Sequence, residues 1–207
     1  MLVMKKALLA LTALIALTVI LAGCAEVSDD RTGNSGKPVE EDSNISELDY
    51  SALSESSIAG VDVVFVDMMI PHHEQALVLA DLAFKYAEKN SEVLRLAEEI
   101  RSVQGVEVDM MRSWYINSDI APRFQDHSEM AGMLSDEQLE ALGNLRGKEF
   151  DIAWLEGMIE HHEGAIDMAD MVKFSKTSAV IEFAEHLIIL QQREIDEMRS
   201  LLETLKG

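Results

Sequence analysis

An internal repeat constrains this chain more than any other sequence feature. The segment 65–81, FVDMMIPHHEQALVLAD, recurs at 154–170 as WLEGMIEHHEGAIDMAD, with eight of 17 positions identical. The segment 97–113, AEEIRSVQGVEVDMMRS, recurs at 184–200 as AEHLIILQQREIDEMRS, again with eight of 17 identical. Because self-similarity at a fixed spacing indicates a repeated supersecondary unit, the chain is predicted to use one unit twice.

Each repeated unit has the pattern of a helix hairpin. Proline is nearly absent beyond Pro71, and the apolar residues recur at helical spacing without any alternating strand pattern. Ser135 and Gln138 form a predicted capping box that opens a short helix ending near Leu145. The long helices are predicted at about 57–89, 91–115 and 148–174, and a fourth follows a turn at 176–178 and runs to about 205. Two such hairpins close a bundle, so the predicted fold is all-α, a four-helix bundle built from two repeated helix hairpins.

The N-terminus has the features of an export signal. Lys5 and Lys6 precede an apolar run over 7–20, which is too short to span a bilayer comfortably. The run ends in Leu-Ala-Gly-Cys at 21–24, which resembles a bacterial lipobox and implies cleavage before Cys24 and its acylation, for example with palmitate. A plain secretory signal is the alternative. The predicted protein is exported and lipid-anchored through Cys24 to a bacterial membrane, on the periplasmic or extracellular face.

Composition then divides the chain into three parts. Residues 1–23 are the predicted signal peptide, 24–48 a polar flexible tether, and 49–207 the helical-bundle domain. The formal net charge of −21 makes a nucleic-acid partner unfavourable. Cys24 is the only cysteine, so any metal in the folded part must be bound by His, Met, Asp or Glu.

The helical periodicity directs matched histidines and methionines towards the bundle interior. Met and His three residues apart project from the same helix face, and the repeat supplies this pair twice. A buried imidazole without a partner is costly, so these groups are predicted either to hold a ligand or to form a closed His–Gln hydrogen-bond network with Gln104 and Gln191. The predicted primary metal site consists of Met69, His72, His73, Met111, Met158, His161, His162 and Met198, with His73 and His162 at its edge.

A second cluster of the same ligand types lies in the loop between the hairpins. His127, Met130 and Met133 are predicted to form a lid over the primary site or a second site. Imidazole and thioether ligands favour Cu(I), whereas zinc prefers His with carboxylate or thiolate. The predicted cofactor is therefore copper, with Cu(I) favoured.

Several of these motifs resemble one known family. The residues MIPHH at 69–73, MIEHHEGA at 158–165, the two Gln-x-x-Glu segments at 104–107 and 191–194, and His-x-x-Met-x-x-Met at 127–133 are similar to those of the domain of unknown function 305 family, also called CopM-like. The resemblance covers about 60–203. It implies a ferritin-like helical bundle and, for some members, copper binding and copper tolerance outside the cytoplasm. The two halves of the repeat differ where the first has Met68 and the second has Gly157.

The residues leave other functions open. A non-metal helical interaction module on a lipid tether is one alternative. A di-iron ferritin-like protein is less favoured, because Glu74 and Glu163 are predicted to face outward. A zinc protease would need His-Glu-x-x-His, which is absent here. With no catalytic constellation readable, the chain is interpreted as a non-enzymatic, extracytoplasmic copper-binding lipoprotein.

Overall fold

The computed structural model describes residues 48–89, 91–123 and 130–207, and within these ranges the secondary structure is helical. A 3-10 turn, Asp170–Phe174, continues the fifth helix. The six α-helices are α1 (Tyr50–Ser54), α2 (Val61–Tyr86), α3 (Glu92–Ser118), α4 (Asp136–Gly143), α5 (Gly147–Ala169) and α6 (Ser178–Lys206). The predicted all-α class is confirmed.

The four long helices form the two predicted hairpins. α2 packs against α3, and α5 packs against α6. The hairpins meet through α2 and α5, which are therefore the central pair of the bundle. The short helix α1, which the sequence did not predict, packs against both α3 and α6. The bundle thus has one extra element that the repeat does not duplicate.

Local signals explain where several helices begin and end. Ser135 accepts a hydrogen bond from the Gln138 amide, while the Gln138 side chain returns to the Ser135 amide, so the predicted capping box is confirmed. α3 runs three residues past its predicted end and stops at Asp119, whose φ of 53° is left-handed. The predicted third long helix is shorter than expected, because its last turn tightens to 3-10 geometry after Ala169.

The core consists of two apolar clusters stacked along the bundle. The first surrounds Phe65, Trp114 and Phe183, and the second surrounds Phe150 and Trp154. Each tryptophan is fully buried, and its indole N–H donates to a backbone carbonyl oxygen, from Trp114 to Leu53 and from Trp154 to Leu79. Both clusters therefore bury large aromatic surface without leaving the indole nitrogens unpaired.

Two buried aspartates join the hairpins reciprocally. Asp62, in the first turn of α2, accepts a 2.6 Å hydrogen bond from the Thr177 hydroxyl in the turn of the second hairpin. Asp151, at the same position of the repeat in α5, accepts a 3.2 Å bond from the Glu88 amide in the turn of the first hairpin. Neither aspartate was predicted from the sequence. They fix the turn of each hairpin to the other hairpin.

The predicted membrane anchor falls outside this description. Cys24, the signal peptide and all of the tether except Leu48 precede the described residues. Over the part of the chain that is described, no helix combines the length and apolar character needed to cross a bilayer.

Candidate metal centre

A layer of polar side chains separates the two apolar clusters. On α2 the first cluster ends at Ile70 and the second begins at Ala76, and the same change of cluster occurs on the other three long helices. Each helix contributes two side chains to the layer, and all of them are at least nine-tenths buried. The layer consists of His72, His73, Gln104, Glu107, His161, His162, Gln191 and Glu194.

Four imidazoles form a row across this layer. At its centre the His72 and His161 rings are stacked, with centroids 3.8 Å apart and planes inclined by 36°. The His73 ring lies 6.4 Å from His72, and the His162 ring lies 6.3 Å from His161. The prediction that His72 and His161 meet at one level of the bundle is confirmed.

A carboxylate ends the row on each side. Nε2 of His73 donates to Glu107 at 2.9 Å, and Nε2 of His162 donates to Glu194 at 2.8 Å. An ionised carboxylate can only accept hydrogen bonds, so the imidazole Nε2 is the donor in each contact. Nδ1 of both histidines is buried and has no hydrogen-bond partner in the protein.

The outer histidines match the prediction, whereas the glutamines do not. His73 and His162 were predicted at the edge of the site, and they lie at the two ends of the imidazole row, each completely buried. The glutamines were expected to orient the imidazoles, but the side-chain oxygens of Gln104 and Gln191 have no partner, and the glutamates bind the rings instead. Glu107 was already detectable from sequence, since it lies three residues after Gln104 and therefore on the same helix face.

The central histidines lack the hydrogen bonds that buried imidazoles normally make. All four ring nitrogens of His72 and His161 are buried without a well-formed hydrogen bond. The pKa of His72 is lowered from 6.5 to about 3, chiefly by burial and also by the neighbouring His73 and His162, although the nearby Ala131 backbone opposes the shift. Burial also lowers the pKa of His161 well below its usual range. Both rings are therefore neutral at physiological pH and carry free lone pairs.

The predicted methionine ligands lie on both sides of the row. Met69 and Met111 belong to the first apolar cluster, and Met158 and Met198 belong to the second. All four side chains are completely buried. Met69 precedes His72 by one turn of α2, and Met158 precedes His161 by one turn of α5. The thioethers thus flank the imidazoles along the bundle axis.

The loop between the hairpins crosses the central pair of helices. A Cβ added to Gly132, whose φ is +79°, would lie 2.9 Å from the His161 carbonyl oxygen, so the loop backbone lies directly on α5. The Gln75 side chain donates to the Leu134 carbonyl at 2.9 Å and accepts from the Leu134 amide at 2.8 Å. Met130 packs against the first apolar cluster.

The predicted loop cluster is described only in part. Met133 is partly buried in the same loop, whereas His127 lies outside the described residues. The two glutamates predicted to face outward, Glu74 and Glu163, do so and pair with Arg112 and Arg199 at the surface.

The donor set limits which metals would fit. Within 48–89, 91–123 and 130–207, no three side chains of the His, Cys, Asp and Glu types are grouped so that they could share an ion. Imidazole nitrogen and thioether sulfur are ligand types that suit a soft cation such as Cu(I).

The central histidines predict a pH dependence of stability. Between pH 6.5 and about 3 the unfolded chain binds protons at His72 and His161 that the folded chain does not bind. The free energy of unfolding of the metal-free protein is therefore expected to fall as the pH falls through this window. Urea unfolding at several pH values measures this slope, and the slope should decrease in a His72→Leu, His161→Leu variant. An unchanged slope would contradict the assignment.

Comparisons with known proteins agree with this architecture. The family model described as Domain of unknown function (DUF305) matches residues 62–202. A DUF305 protein from Streptomyces coelicolor is 27% identical, with a TM-score of 0.67 over 72% of this chain and 95% of that one. A DUF305 fragment from Deinococcus radiodurans is also 27% identical, with a TM-score of 0.64 over 72% of this chain and 99% of the fragment.

A third similar structure was solved with copper. CopM in its Cu(I)-bound form is 27% identical, with a TM-score of 0.62 over 72% of this chain and 100% of that one. No curated protein matches the chain. The family match covers well over half of the sequence, including nearly all of the four long helices and the whole polar layer, and the chain accordingly belongs to the DUF305 family.

Proposed function

We propose that this chain is an extracytoplasmic copper-binding protein that holds Cu(I) in the polar layer and serves copper homeostasis or tolerance. The observation that carries the proposal is the stacked pair His72 and His161, with four buried ring nitrogens that lack hydrogen bonds. Each such nitrogen costs about 1–3 kcal/mol in a closed core. A cation that accepts the lone pair of one nitrogen in each ring offsets part of this cost.

The charge of the layer supports a cationic ligand. Glu107 and Glu194 are buried carboxylates, and in the described part of the chain they contact the His73 and His162 imidazoles and pair with no Lys or Arg. Buried carboxylates without Lys or Arg leave net negative charge in a region of low dielectric constant. A bound monovalent cation lowers the free energy of this arrangement, because it adds positive charge in the same layer.

The ligand chemistry favours Cu(I) over harder ions. The residues that would hold it are His72 and His161, with Met69 and Met158 one turn away. Thioether sulfur is a soft ligand that binds Cu(I) and contributes little to Zn(II). The similar structures of CopM were solved in forms bound to Cu(I), Cu(II) and silver, which agrees with a soft-metal role.

Because thioethers bind Cu(I) much better than Zn(II), replacing two methionines should change the affinity for Cu(I) much more than the affinity for Zn(II). Met69→Leu with Met158→Leu conserves volume and leaves every imidazole in place, so the fold should be kept. Cu(I) affinity is expected to fall by about tenfold or more, while Zn(II) affinity changes little. Anaerobic titration against a competing Cu(I) chelator measures the first, and zinc titration measures the second. Equal losses for both metals would indicate that the thioethers are only packing residues.

The localisation part of the proposal rests on Cys24. One similar structure is described as a secreted protein, which supports a site outside the cytoplasm. Cys24→Ser is expected to move the protein from the membrane fraction to the soluble fraction, or to leave its signal peptide uncleaved, because the acyl chains have no attachment point. Fractionation and intact mass measure both results. A variant that is cleaved and still held by the membrane would show that the lipobox assignment is wrong.

A further inference from the structure

The sequence repeat supplies two equivalent His–Glu pairs, but the fold treats them differently. Tyr50, on α1, donates a 2.9 Å hydrogen bond to Oε1 of Glu107, whose Oε2 already accepts from His73. Both oxygens of that carboxylate are therefore held by protein groups. On the other side, the hydrogen bond found for the described Glu194 side chain is the one from His162. Tyr50 thus completes only one of the two pairs.

The Glu107 carboxylate is also less exposed to solvent than the Glu194 carboxylate. The Glu107 side chain retains 2% of its accessible surface, whereas the Glu194 side chain retains 10%. Glu194 also lies near enough to Tyr50 to raise its pKa, although burial and Glu107 raise it more. The Tyr50 hydroxyl is therefore a neutral donor that closes the Glu107 side of the layer and leaves Glu194 in partial contact with water.

The position of α1 follows from residues that the repeat does not duplicate. The Trp114 indole donates to the Leu53 carbonyl at 2.7 Å, and the Asn117 amide donates to the Ser54 carbonyl at 2.7 Å. The counterparts of these α3 residues on α6 are Leu201 and Thr204. The Leu201 side chain has no hydrogen-bond donor. It therefore cannot hold a second short helix against α6 in the way that Trp114 holds α1 against α3. The asymmetry is therefore encoded in the sequence.

We propose that Tyr50 seals the His73–Glu107 pair as the fixed end of the imidazole row and leaves the His162–Glu194 pair as the exchange route between solvent and the polar layer. Protons use this route in the metal-free protein. A soft cation entering the layer uses the same route, and this second statement rests on the proposed copper function. Tyr50 is in this sense a positioning residue, since it acts through Glu107.

The proton part is tested without any metal. In protein labelled with nitrogen-15 at histidine, solvent exchange of the Nε2 proton is expected to be about tenfold faster for His162 than for His73, because opening near Glu194 is easier. Tyr50→Phe removes one hydroxyl and should abolish most of this difference by accelerating exchange at His73. Equal exchange rates in the unmodified protein would overturn the proposal, as would a Tyr50→Phe variant that keeps the full difference.

The cation part uses Ag(I) as the probe and the repeat as an internal control. Glu194→Gln is expected to slow Ag(I) association by about tenfold, since the carboxylate on the route attracts the cation. Glu107→Gln, the matched change at the sealed end, removes the same charge from the layer and should slow association clearly less than Glu194→Gln, with circular dichroism confirming that both variants are folded. Equal slowing by both variants would contradict the route. If Ag(I) and Cu(I) fail to bind at all while the proton asymmetry is present, the copper function is wrong and the sealing role of Tyr50 stands.

Discussion

Replacing His72 and His161 together by leucine is expected to stabilise the metal-free protein while abolishing tight Cu(I) binding. Leucine is close to histidine in volume and has no polar nitrogen. The double change removes four buried ring nitrogens that lack hydrogen bonds, each of which costs about 1–3 kcal/mol. The free energy of unfolding should rise by about 2 kcal/mol or more. Cu(I) affinity should fall by more than about 100-fold, because both facing imidazoles are lost.

Replacing the neighbouring histidine pair is the control, because this change is expected to destabilise the protein instead of stabilising it. His73→Leu with His162→Leu leaves Glu107 and Glu194 buried without their imidazole partners. Removing the partner of a buried carboxylate leaves an uncompensated buried charge, which costs about 3–5 kcal/mol, so this variant should be strongly destabilised. Denaturant unfolding and anaerobic Cu(I) titration of both variants separate the two roles. A loss of stability in the His72 and His161 variant would instead indicate a closed hydrogen-bond network that requires those rings.

Much of the fold was predictable because the repeat and the helical period agree. Helix spacing alone placed His72 and His161 on inward faces, and hairpin geometry placed them at one level, where the rings are now found stacked. α1 could not be predicted in this way, because five residues are too short to show a period. Its position depends on Trp114 and Asn117, which are distant in sequence, so only tertiary contacts reveal it.

The charged members of the layer were missed for a different reason. A glutamate on a helix usually faces solvent, as Glu74 does, so Glu107 was not predicted as a member of the layer although it shares a helix face with Gln104. The structure places Glu107 inside because His73, on the adjacent helix, satisfies it. A pair of this kind forms only when the two helices are aligned along the bundle axis. Residue spacing within one helix does not show that alignment.

The breaks in the repeat were visible in sequence, but their reason was not. Gly157 lies where the first half has Met68, and Gly164 lies where it has Gln75. In the structure, a Cβ on Gly157 would lie 3.2 Å from the Leu134 side chain, and Gly164 lies directly under Ala131. Both glycines therefore allow the loop between the hairpins to pack closely against α5. This loop has no second copy in the repeat.

Because the loop backbone packs closely on Gly164, Gly164→Ala is the other substitution with a large expected effect. A Cβ there would lie 2.5 Å from the Ala131 carbonyl carbon and 2.8 Å from the Gly132 nitrogen, and both are backbone atoms that no rotamer change can move. Alanine is favoured over glycine in a helix by about 0.5–1 kcal/mol, but the overlap forces the loop away from α5. The variant is expected to lose about 2–3 kcal/mol of stability, in the upper range for overpacked sites.

Gly105→Ala is the matched control, because Gly105 lies within α3 and its added Cβ meets nothing within 4 Å. That variant should gain about 0.5–1 kcal/mol from helix propensity alone. Hydrogen exchange at the Leu134 amide reports the loop directly, since this amide donates to Gln75. Gly164→Ala should expose it, and Gly105→Ala should leave it protected. Because the loop lies against the His161 backbone, its release should also speed the dissociation of bound Cu(I). A Gly164→Ala protein as stable and as protected as the control would show that the loop is not seated on α5 in solution.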